Sequence, residues 1–536
     1  MHIKILALAA TCLISGLVFA QKKFTFSLGQ EYALPKKSDD LAFIGNNQDG
    51  IINLSLKKDE LYITRFDGKS LKTTSEKEVQ LNDATRNMNS EKVVEFGNKY
   101  FWLNSDWDKS AKTEYLYATE IDINKGVISN KRQTLVQSSK LTGDMARGGG
   151  GFINVKLVNK YWYNYNADRT KLLVNYRLYP EHKSDKINYD KIGFFVFDEN
   201  MKKIWGGEFQ MPYTEAQMDN IDYVVDANGD AYMLAKVYDD TDTKSKEGPS
   251  YHLEVFRFTK GKKKPVIAKV DLGSNYLKQA TLIESSTHDI LVACTYSKKA
   301  KKGGTAGIYL GKLNNENGKL ENYKNGYYEF PKEELAKFET AAAKRKMDKK
   351  DDYEAPNISV RSVLIDADGS VLIACEEYYM VEHQRSSTRN GVYGSGGYYY
   401  TYHYEDILAV KIDATGNFQW ITKIPKKQRG SDGRGTMSYT LISDATGYYF
   451  LYLDNNKNLN LAQDEAPRLH LDGYGGQVVV GKIANDGAVT KEILFDTREE
   501  DIMIFPADFR KINQNEFIGR ARLKKTLFQP LLIKVN

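Results

Sequence analysis

Few segments of this chain carry side chains whose types and spacing could do chemistry, and a tyrosine-rich segment is the most distinctive. Residues 391–404 read GVYGSGGYYYTYHY. Tyrosine rings offer flat, amphipathic contact surfaces at a low cost in rotamer entropy, which suits recognition of sugars, peptides or proteins. The same pattern also fits a hairpin whose tyrosines pack on a scaffold, so both interpretations stay open. The candidate ligand-binding residues of this segment are Tyr398, Tyr399, Tyr400, Tyr402, His403 and Tyr404.

Further candidate ligand-binding residues lie in other long segments between apolar runs. Leu141 to Phe152 reads LTGDMARGGGGF, in which four glycines beside Arg147 could hold an anion through backbone N–H groups. A nucleotide P-loop is excluded because the strand–GxxxxGK[ST]–helix context is missing, and a plain connection is the alternative. Arg429 and Arg434, in QRGSDGRG, lie on an equivalent connector and could join this site. The other candidates in long connectors are Trp107, Arg385 and His470.

Catalytic and metal-binding motifs are scarce in this sequence. The histidines form neither an HExxH pair nor another close metal-ligand spacing, and there is no GxSxG elbow. Asp226, Asn228 and Asp230 imitate the start of a calcium loop, but the twelfth position is Val237 rather than Glu. A tight turn explains that pattern. We therefore expect no metal site and no cofactor.

The elements that must position the candidate residues are repeated hairpins. An aliphatic run, a turn of Asp or Asn with Gly, and a second apolar run recur through most of the length. Clear copies are VVDANGDAYMLAKVY at 224–238, LIDADGSVLIACEEYY at 364–379 and LISDATGYYFLYL at 441–453. Two kinds of hairpin alternate, so each unit of roughly 55–75 residues contains four strands, which predicts the blades of a β-propeller.

The predicted fold class is therefore all-β: a single β-propeller of seven or eight four-stranded blades, with eight favoured. Two smaller propellers are less favoured, because no Pro/Gly/Ser-rich linker divides the chain. The last unit supplies three strands, around Ala507–Phe509, Phe517–Arg522 and Leu531–Val535, while residues 23–34 form a lone strand. Joining the two ends closes the ring and removes an exposed sheet edge. Residues 331–352 have the pattern of a helix, which predicts a helical insertion.

One hairpin resembles the repeat of quinoprotein-type propellers. Lys411 to Trp420 reads KIDATGNFQW, and in that family an Asp-x-x-Thr-Gly turn precedes a tryptophan that docks between blades; here one residue rather than two separates Asp413 from Thr415. Asp198 to Trp205 repeats the Asp–Trp spacing without the Thr-Gly pair. The resemblance implies an eight-bladed ring. It implies no quinone cofactor, because the other units lack the tryptophan and the family's active-site residues cannot be located.

The N-terminal twenty residues predict export. Lys4 precedes an apolar stretch from Ile5 to Phe19, and a small-residue cleavage site ends at Ala20. This stretch is too short to span a bilayer, and we expect no transmembrane segment elsewhere. The predicted domains are thus a signal peptide at 1–20 and a propeller at 21–536, in the periplasm or outside the cell. The chain also resembles exported propeller proteins of Gram-negative bacteria such as the Bacteroidetes.

Charge and cysteine content narrow the classes of partner. The 76 Lys and Arg residues nearly balance 70 Asp and Glu, for a net charge of +6. The basic runs Lys260–Lys264 and Lys298–Lys302 fall in different kinds of connector, so we expect them on opposite faces and expect no nucleic-acid partner. Cys294 and Cys375 occupy matching positions in successive repeats, which predicts two buried, reduced thiols. We expect a monomer.

The connectors of the predicted propeller are asymmetric. Turns between strands one and two, and three and four, are short, whereas the loops and connectors on the opposite face are long, and long loops on a rigid scaffold are where binding usually resides. The leading hypothesis is a non-enzymatic protein that binds a protein, peptide or glycan on that face. The alternative is a propeller-fold glycan hydrolase or lyase. It needs paired carboxylates, whose separation the sequence does not define, or a histidine with a tyrosine. The acids that fall on this face include Asp239, Asp240, Asp242 and Glu465.

Overall fold

The protein forms a ring of eight four-stranded antiparallel blades, which confirms the predicted fold class and decides between seven and eight. This computed structural model describes residues 24–536 apart from 82–87, 148–154, 240–249, 271, 301–302, 315–316, 351, 390–391, 432–436, 472–474 and 514. The predicted signal peptide lies outside the described residues, as do the side chains of 145–147, 155–156 and 384–398.

The first half of the chain contains two N-terminal strands, blades 1 to 4 and one inserted hairpin. The N-terminal strands are β1 (Phe24–Leu28) and β2 (Tyr32–Ala33). Blade 1 comprises β3 (Asp39–Asn46), β4 (Gly50–Lys57), β5 (Glu60–Phe66) and β6 (Thr73–Gln80). Blade 2 comprises β7 (Asn89–Phe96), β8 (Lys99–Asp108), β9 (Thr113–Asp122) and β10 (Val127–Ser138). The inserted hairpin pairs β11 (Asp144–Arg147) with β12 (Val155–Val158). Blade 3 comprises β13 (Tyr161–Tyr165), β14 (Leu172–Arg177), β15 (Tyr189–Phe197) and β16 (Lys203–Thr214). Blade 4 comprises β17 (Met218–Val225), β18 (Ala231–Tyr238), β19 (Tyr251–Phe258) and β20 (Val266–Val270).

The second half contains blades 5 to 8 and the helices. Blade 5 comprises β21 (Tyr276–Glu284), β22 (Ile290–Ser297), β23 (Gly307–Leu313) and β24 (Leu320–Glu329), and is followed by α1 (Lys332–Ala336) and α2 (Ala341–Asp348). Blade 6 comprises β25 (Ile358–Ile365), β26 (Val371–Arg389), β27 (Val392–Ile412) and β28 (Phe418–Ile424), with β29 (Gln428–Gly430) after it. Blade 7 comprises β30 (Tyr439–Asp444), β31 (Gly447–Asp454), β33 (Gln477–Ala484) and β34 (Val489–Asp496), with a 3-10 turn (Asn456–Asn458) and β32 (His470–Leu471) between its middle strands. Blade 8 contains β35 (Met503–Ile504), a 3-10 turn (Pro506–Asp508), β36 (Arg510–Lys511), β37 (Glu516–Lys524) and β38 (Leu527–Val535).

The N-terminal strand completes blade 8. β1 pairs antiparallel with β38 along its whole length, from Phe24 opposite Val535 to Leu28 opposite Leu531, and so becomes the fourth strand of that blade. The first strand of blade 8 differs from the prediction: residues 506–508 form a 3-10 turn, and short pairings with β37 flank it. Pro506 explains the difference, because proline has no N–H to donate to a sheet ladder.

The core of the ring lies between blades. Within the described residues, eight hydrophobic clusters are found, one at each interface between neighbouring blades. At the interface of blades 3 and 4, for example, the rings of Phe194 and Phe258 lie 4.2 Å apart. The first strands of several neighbouring blades also contact each other, as β17 contacts β21, which places them nearest the axis. The first strands therefore carry the side chains that can line the axial opening.

The turn residues of the repeat have the backbone conformation that the sequence indicates. Gly229 and Gly369, in the first hairpins of blades 4 and 6, have φ values of 85° and 81°. A Cβ atom at Gly369 would meet nothing within 4 Å, so its positive φ rather than crowding favours glycine there. Turns of this kind are short, and they leave the opposite face to carry the longer connectors.

Two tryptophans hold neighbouring blades together. The indole N–H of Trp205, in the fourth strand of blade 3, donates to the carbonyl of Gly229 in blade 4 at 2.6 Å. The indole N–H of Trp420, in the fourth strand of blade 6, donates to the carbonyl of Asn485 in blade 7 at 2.9 Å. Both residues are buried, so each indole supplies apolar packing and one directed bond across an interface.

The helical insertion consists of two short helices rather than one. Phe338 has φ of 60° and donates its N–H to the carbonyl of Gln463, which interrupts the helix after Ala336. Thr340 then caps α2 through its hydroxyl, which accepts the N–H of Ala343. Among the described residues, no helix has the length and apolar character needed to cross a membrane.

The two cysteines confirm the prediction of buried free thiols. Cys294 lies in β22 and Cys375 in β26, the second strands of blades 5 and 6, and both are fully buried and unpaired. Burial raises the pKa of the Cys375 thiol to about 12 and that of the Cys294 thiol further. Both therefore behave as small apolar side chains rather than as nucleophiles.

Candidate functional site

The long connectors share one face of the ring, which we call the loop face. It carries the loops between second and third strands and the connectors between blades, including the hairpin of β11 and β12 and both helices. Each first strand begins at this face, so the first residues of these strands surround the axial opening there. Lys298 belongs to this face, whereas Lys260–Lys264 lie in a turn on the opposite one, as the sequence indicates.

The tyrosine-rich segment forms a hairpin, which is one of the two structures that the sequence left open. The second and third strands of blade 6 continue past the blade as one antiparallel hairpin that pairs as far as Arg389 opposite Val392. We call the part from Tyr378 to Tyr404 the tyrosine arm. Tyrosine and threonine favour extended backbone, and here that preference outweighs the glycines of the segment.

Aromatic stacking orders the base of the tyrosine arm. The ring of Tyr379 stacks on that of His403 with centroids 4.5 Å apart, and His383 stacks on Tyr399 at 4.7 Å. The Thr401 hydroxyl lies 2.9 Å from Nε2 of His383 and 3.2 Å from Nε2 of His403. Burial lowers the pKa of His403, and nearby cationic groups add to this effect. These contacts favour packing within the arm for His403 and for one face of Tyr399.

Part of the tyrosine arm nevertheless faces solvent. Met380, Tyr399 and Tyr400 are 52%, 40% and 36% exposed, although the Tyr400 hydroxyl donates to Glu382 at 2.9 Å. Arg429 is exposed on β29, which pairs with the arm opposite His403, so the structure brings this predicted residue beside the arm. Tyr402 lies opposite Gly430 in the same pairing.

The remaining predicted site residues lie in different places. Trp107 lies in β8 of blade 2, within a strand rather than a loop. Arg385 and Tyr398 belong to the two strands of the arm. His470 lies in β32, which belongs to the same sheet as the arm; its side chain is 5% exposed and lines a small cavity of about 250 Å³. The side chains of Arg147, Arg385 and Tyr398 and the whole of Arg434 lie outside the described residues.

A cavity of about 560 Å³ opens on the loop face between blades 5 and 6. We call it the lysine cavity, because four lysines line it: Lys278, Lys299, Lys346 and Lys350. Tyr378 also lines it, and its ring lies 4.9 Å from that of Tyr404, with the Arg361 guanidinium 4.8 Å above the Tyr378 ring. The tyrosine arm therefore rises directly from the wall of this cavity.

A second opening, of about 490 Å³, lies at the start of the first strands of blades 3 and 4. We call it the tryptophan cleft. Trp162 lines it and is 42% exposed, which is unusual for a tryptophan in an inner strand. Its ring lies 6.1 Å from the ring of Tyr223, tilted by 35°, so a rigid neighbour fixes its orientation.

Polar groups in the tryptophan cleft are held in fixed positions. Nε of Arg177 lies 2.9 Å from Oδ2 of Asp190. Nη2 of the same arginine lies 3.0 Å from Oε1 of Glu215. The side-chain N–H of Asn220 donates to the same Asp190 oxygen at 2.9 Å. Oδ1 of Asn220 and the buried hydroxyl of Tyr223 have no hydrogen-bond partner within the described part of the chain. Burial raises the pKa of that hydroxyl, so it remains a donor.

Neither the tryptophan cleft nor the lysine cavity was identified from the sequence. Trp162 and Arg177 belong to regular strands, and no local motif separates them from packing residues. For the tryptophan cleft, the sequence signal that could have been used is Trp162 itself, a bulky aromatic residue at the beginning of a first strand, where side chains surround the axis. For the lysine cavity, the signal was that the basic runs near Lys299 and Lys346 both belong to loop-face connectors of neighbouring blades.

The carboxyl groups with the most strongly raised pKa values line neither opening. Burial, with the nearby carboxylates of Asp406, Glu405 and Glu339, raises the pKa of Glu377 to about 8. Burial raises the pKa of Asp454 to about 6. Neither residue is in the wall of the tryptophan cleft or of the lysine cavity. Within the described residues, no group of three or more His, Cys, Asp or Glu side chains is arranged to hold a metal ion.

The raised pKa of Glu377 predicts a loss of stability with rising pH. Its ordinary pKa near 4.5 applies in the unfolded chain, so the folded state binds a proton more tightly between about pH 4.5 and 8. The stabilisation from that proton is complete below this window and lost as pH rises through it. We expect the thermal midpoint of Glu377→Gln to fall less between pH 5 and 8.5 than that of the native chain. Glu499→Gln, at an exposed position, is the control and should follow the native curve; a Glu377→Gln curve parallel to it would contradict the assignment.

Comparison with known proteins identifies no family for this chain. No protein-family model matches the chain, and no curated protein matches its sequence. Among solved structures, it is similar to polysaccharide lyase Uly1 (8% identity, 83% of this chain and 90% of that one, TM-score 0.38). It is also similar to a PL25 ulvan lyase (10% identity, 93% and 95%, TM-score 0.36). A third is the β-propeller domain of the Trilobed protease from Pyrococcus furiosus (12% identity, 87% and 97%, TM-score 0.32). Likeness at this level carries no argument about activity or ligand.

Proposed function

We propose that this protein is an exported carbohydrate-binding β-propeller that receives a glycan in the tryptophan cleft of its loop face. The observation that carries the proposal is the exposed ring of Trp162 beside the fixed polar groups of Arg177, Glu215 and Asn220. A sugar ring has an apolar C–H face that stacks on an aromatic ring, and hydroxyls that pair with planar charged or amide groups. The volume of about 490 Å³ is in the range of ligand sites.

The arrangement of acids favours binding over catalysis. A glycan hydrolase or lyase needs a carboxyl group, or a histidine with a tyrosine, that is poised to exchange a proton with the substrate. In the tryptophan cleft, Arg177 holds Glu215, and both Arg177 and Asn220 hold the adjoining Asp190. The other two carboxylates of the cleft wall, Asp219 and Asp222, accept the hydroxyls of Tyr238 and Thr281. The carboxyl groups with raised pKa lie elsewhere. We therefore place the hydrolase or lyase alternative second.

A protein or peptide ligand has one specific observation in its favour. Met380, Tyr399 and Tyr400 present exposed apolar surface on the tyrosine arm, and aromatic residues and methionine are enriched at protein interfaces. This patch is small, and stacking inside the arm uses one face of Tyr399. We therefore treat recognition of a polypeptide as the second binding candidate.

Substitution of Trp162 provides the test. On an array of neutral and acidic polysaccharides, the native chain should bind a defined subset, and Trp162→Ala should weaken binding to it at least tenfold, because the stacking surface is lost. The thermal midpoint should change little, since the ring is partly exposed. Tyr179→Ala is the matched control: it removes a 55% exposed aromatic ring from the same blade outside the cleft, and its binding should equal that of the native chain. An array without any bound glycan, or equal binding by Trp162→Ala, would refute the proposal.

A further inference from the structure

We infer that the lysine cavity is an anion subsite and that the glycan of the proposed function is acidic, carrying sulfate or carboxylate groups. The inference rests on the proposed function for its carbohydrate part. The anion site itself rests on separate observations at blades 5 and 6.

The four lysines of the cavity come from separate segments of the chain. Lys278 is in the first strand of blade 5, and Lys299 is in the loop between its second and third strands. Lys346 belongs to α2, and Lys350 follows the end of that helix. All four line the same cavity of about 560 Å³. Only the packing of α2 against the entrance of blades 5 and 6 brings them together.

The positive charge of this cavity is only partly compensated by the protein. Lys299 pairs with Asp352 at 2.7 Å, and Lys350 also interacts electrostatically with this carboxylate. Within the described residues, no carboxylate lies within ion-pair distance of Lys278, Lys346 or Lys350. Lys278 donates instead to the carbonyl of Gly303 at 2.5 Å.

The one acidic residue of the cavity wall is already engaged. Oε2 of Glu354 accepts the Ser297 hydroxyl at 2.8 Å, and its Oε1 accepts the N–H of Lys298 at 2.7 Å. This carboxylate therefore fixes a loop and does not pair with the lysines across the cavity. The wall as a whole carries more positive than negative charge.

Helix capping does not account for the arrangement. Lys346 and Lys350 complement the negative end of the α2 dipole, which is a common use of lysine. Lys278 and Lys299 come from blade 5 and have no such role. Like charges gathered in one cavity repel each other, and a bound anion would remove that cost. Lysine binds sulfate, phosphate and carboxylate groups as a point charge.

The position of the cavity fits an extended ligand. The tryptophan cleft begins at the first strands of blades 3 and 4, and the lysine cavity at those of blades 5 and 6. The first strands of blades 4 and 5 are in contact, so both openings follow one side of the axial opening. Tyr378 and Tyr353 add aromatic surface to the cavity wall. A polysaccharide that stacks on Trp162 can therefore place a charged group among the lysines.

Binding of dextran sulfate, with uncharged dextran of the same length as reference, tests the anion subsite. The native chain should bind dextran sulfate, and its affinity should fall as salt is raised from 50 to 300 mM, since ions screen such contacts. The double variant Lys278→Gln/Lys346→Gln should bind at least tenfold more weakly. The matched control Lys349→Gln/Lys262→Gln removes the same charge from exposed positions outside the cavity and should bind as the native chain does.

Two results would overturn the inference. The first is that the native chain does not bind dextran sulfate. The second is that the cavity variant and its control lose the same affinity for dextran sulfate, which would indicate binding to a general basic surface. Thermal midpoints of both variants establish that they fold. The outcome is separable from that of the proposed function. If Trp162→Ala loses its glycan while the cavity variant keeps dextran sulfate, only this inference fails. If the cavity variant loses dextran sulfate and Trp162→Ala has no effect on any glycan, only the proposed function fails.

Discussion

Deleting β1 (Phe24–Leu28) is expected to lower the free energy of unfolding by about 3 kcal/mol or more. β1 is the fourth strand of blade 8, so its loss leaves β38 as an exposed sheet edge. It also joins two blades. The ring of Phe24 lies 5.3 Å from that of Tyr449, and the ring of Phe26 lies 4.3 Å from that of Phe495, both in blade 7. The deletion therefore removes both the strand pairing with β38 and the apolar packing between blades 7 and 8.

Urea unfolding, followed by far-UV circular dichroism and tryptophan fluorescence, measures this effect. Phe24→Ala alone should account for most of it, because a buried phenylalanine truncated to alanine costs about 3–5 kcal/mol. Thr25→Ala is the matched control on the same strand, since Thr25 is exposed, and it should change the free energy by less than about 0.5 kcal/mol. A deletion variant with the urea midpoint of the native chain would show that the ring is closed by other contacts.

Glu376→Leu is the second substitution with a large expected effect, about 3–5 kcal/mol of destabilisation. Glu376 and Lys426 are both fully buried, and Nζ of Lys426 lies 2.6 Å from Oε1 of Glu376. The second carboxylate oxygen lies 3.0 Å from Nε of Arg361 and accepts the Ser438 hydroxyl at 2.8 Å. Among the described residues, the side-chain hydrogen bond left to Lys426 without this carboxylate would be the one to the amide oxygen of Gln428, at 3.2 Å. A charge without its ion-pair partner would then remain in the interior.

The double variant Glu376→Leu/Lys426→Met distinguishes the cause of this loss. If the unpaired charge is responsible, removing both charges should restore much of the stability, because an apolar pair of similar volume often replaces a buried ion pair at little cost. Lys427→Met is the control. It breaks the partly exposed pair of Lys427 and Glu405, 3.6 Å apart, and should cost less than about 1 kcal/mol. A double variant as unstable as Glu376→Leu would indicate that packing, not charge, is the cause.

Local signals explain why much of the fold could be predicted. Each turn with Asp or Asn and Gly carries its own conformational requirement, as Gly229 and Gly369 show with their positive φ values. Apolar runs on both sides of each turn then indicate the strands. The apolar character of Cys294 and Cys375 followed from their matching strand positions. These features depend on residues close in sequence, so no tertiary information is needed to recognise them.

Where the sequence left a point open or was wrong, the physical reason lies outside the local sequence. The tyrosine arm could be a mobile contact segment or a hairpin, because its glycines oppose the strand preference of its tyrosines; pairing between β26 and β27 decides for the hairpin. The insertion at 331–352 was predicted as one helix, but a backbone bond from Phe338 to Gln463, far away in the chain, divides it. Whether His470 contacts a ligand stays a prediction.

The sequence by itself determined the repeat, the turns and the alternation of two kinds of hairpin. Hairpins are short-range structures, so the backbone preferences of their own residues are enough to define them. It also determined which face carries the long connectors, since their lengths are visible directly. Only the tertiary structure decided which side chains meet. The order of the blades around the axis brings Trp162 together with Arg177 and Asn220. The packing of α2 brings Lys346 beside Lys278. Both arrangements depend on residues far apart in the chain, so no local pattern encodes them.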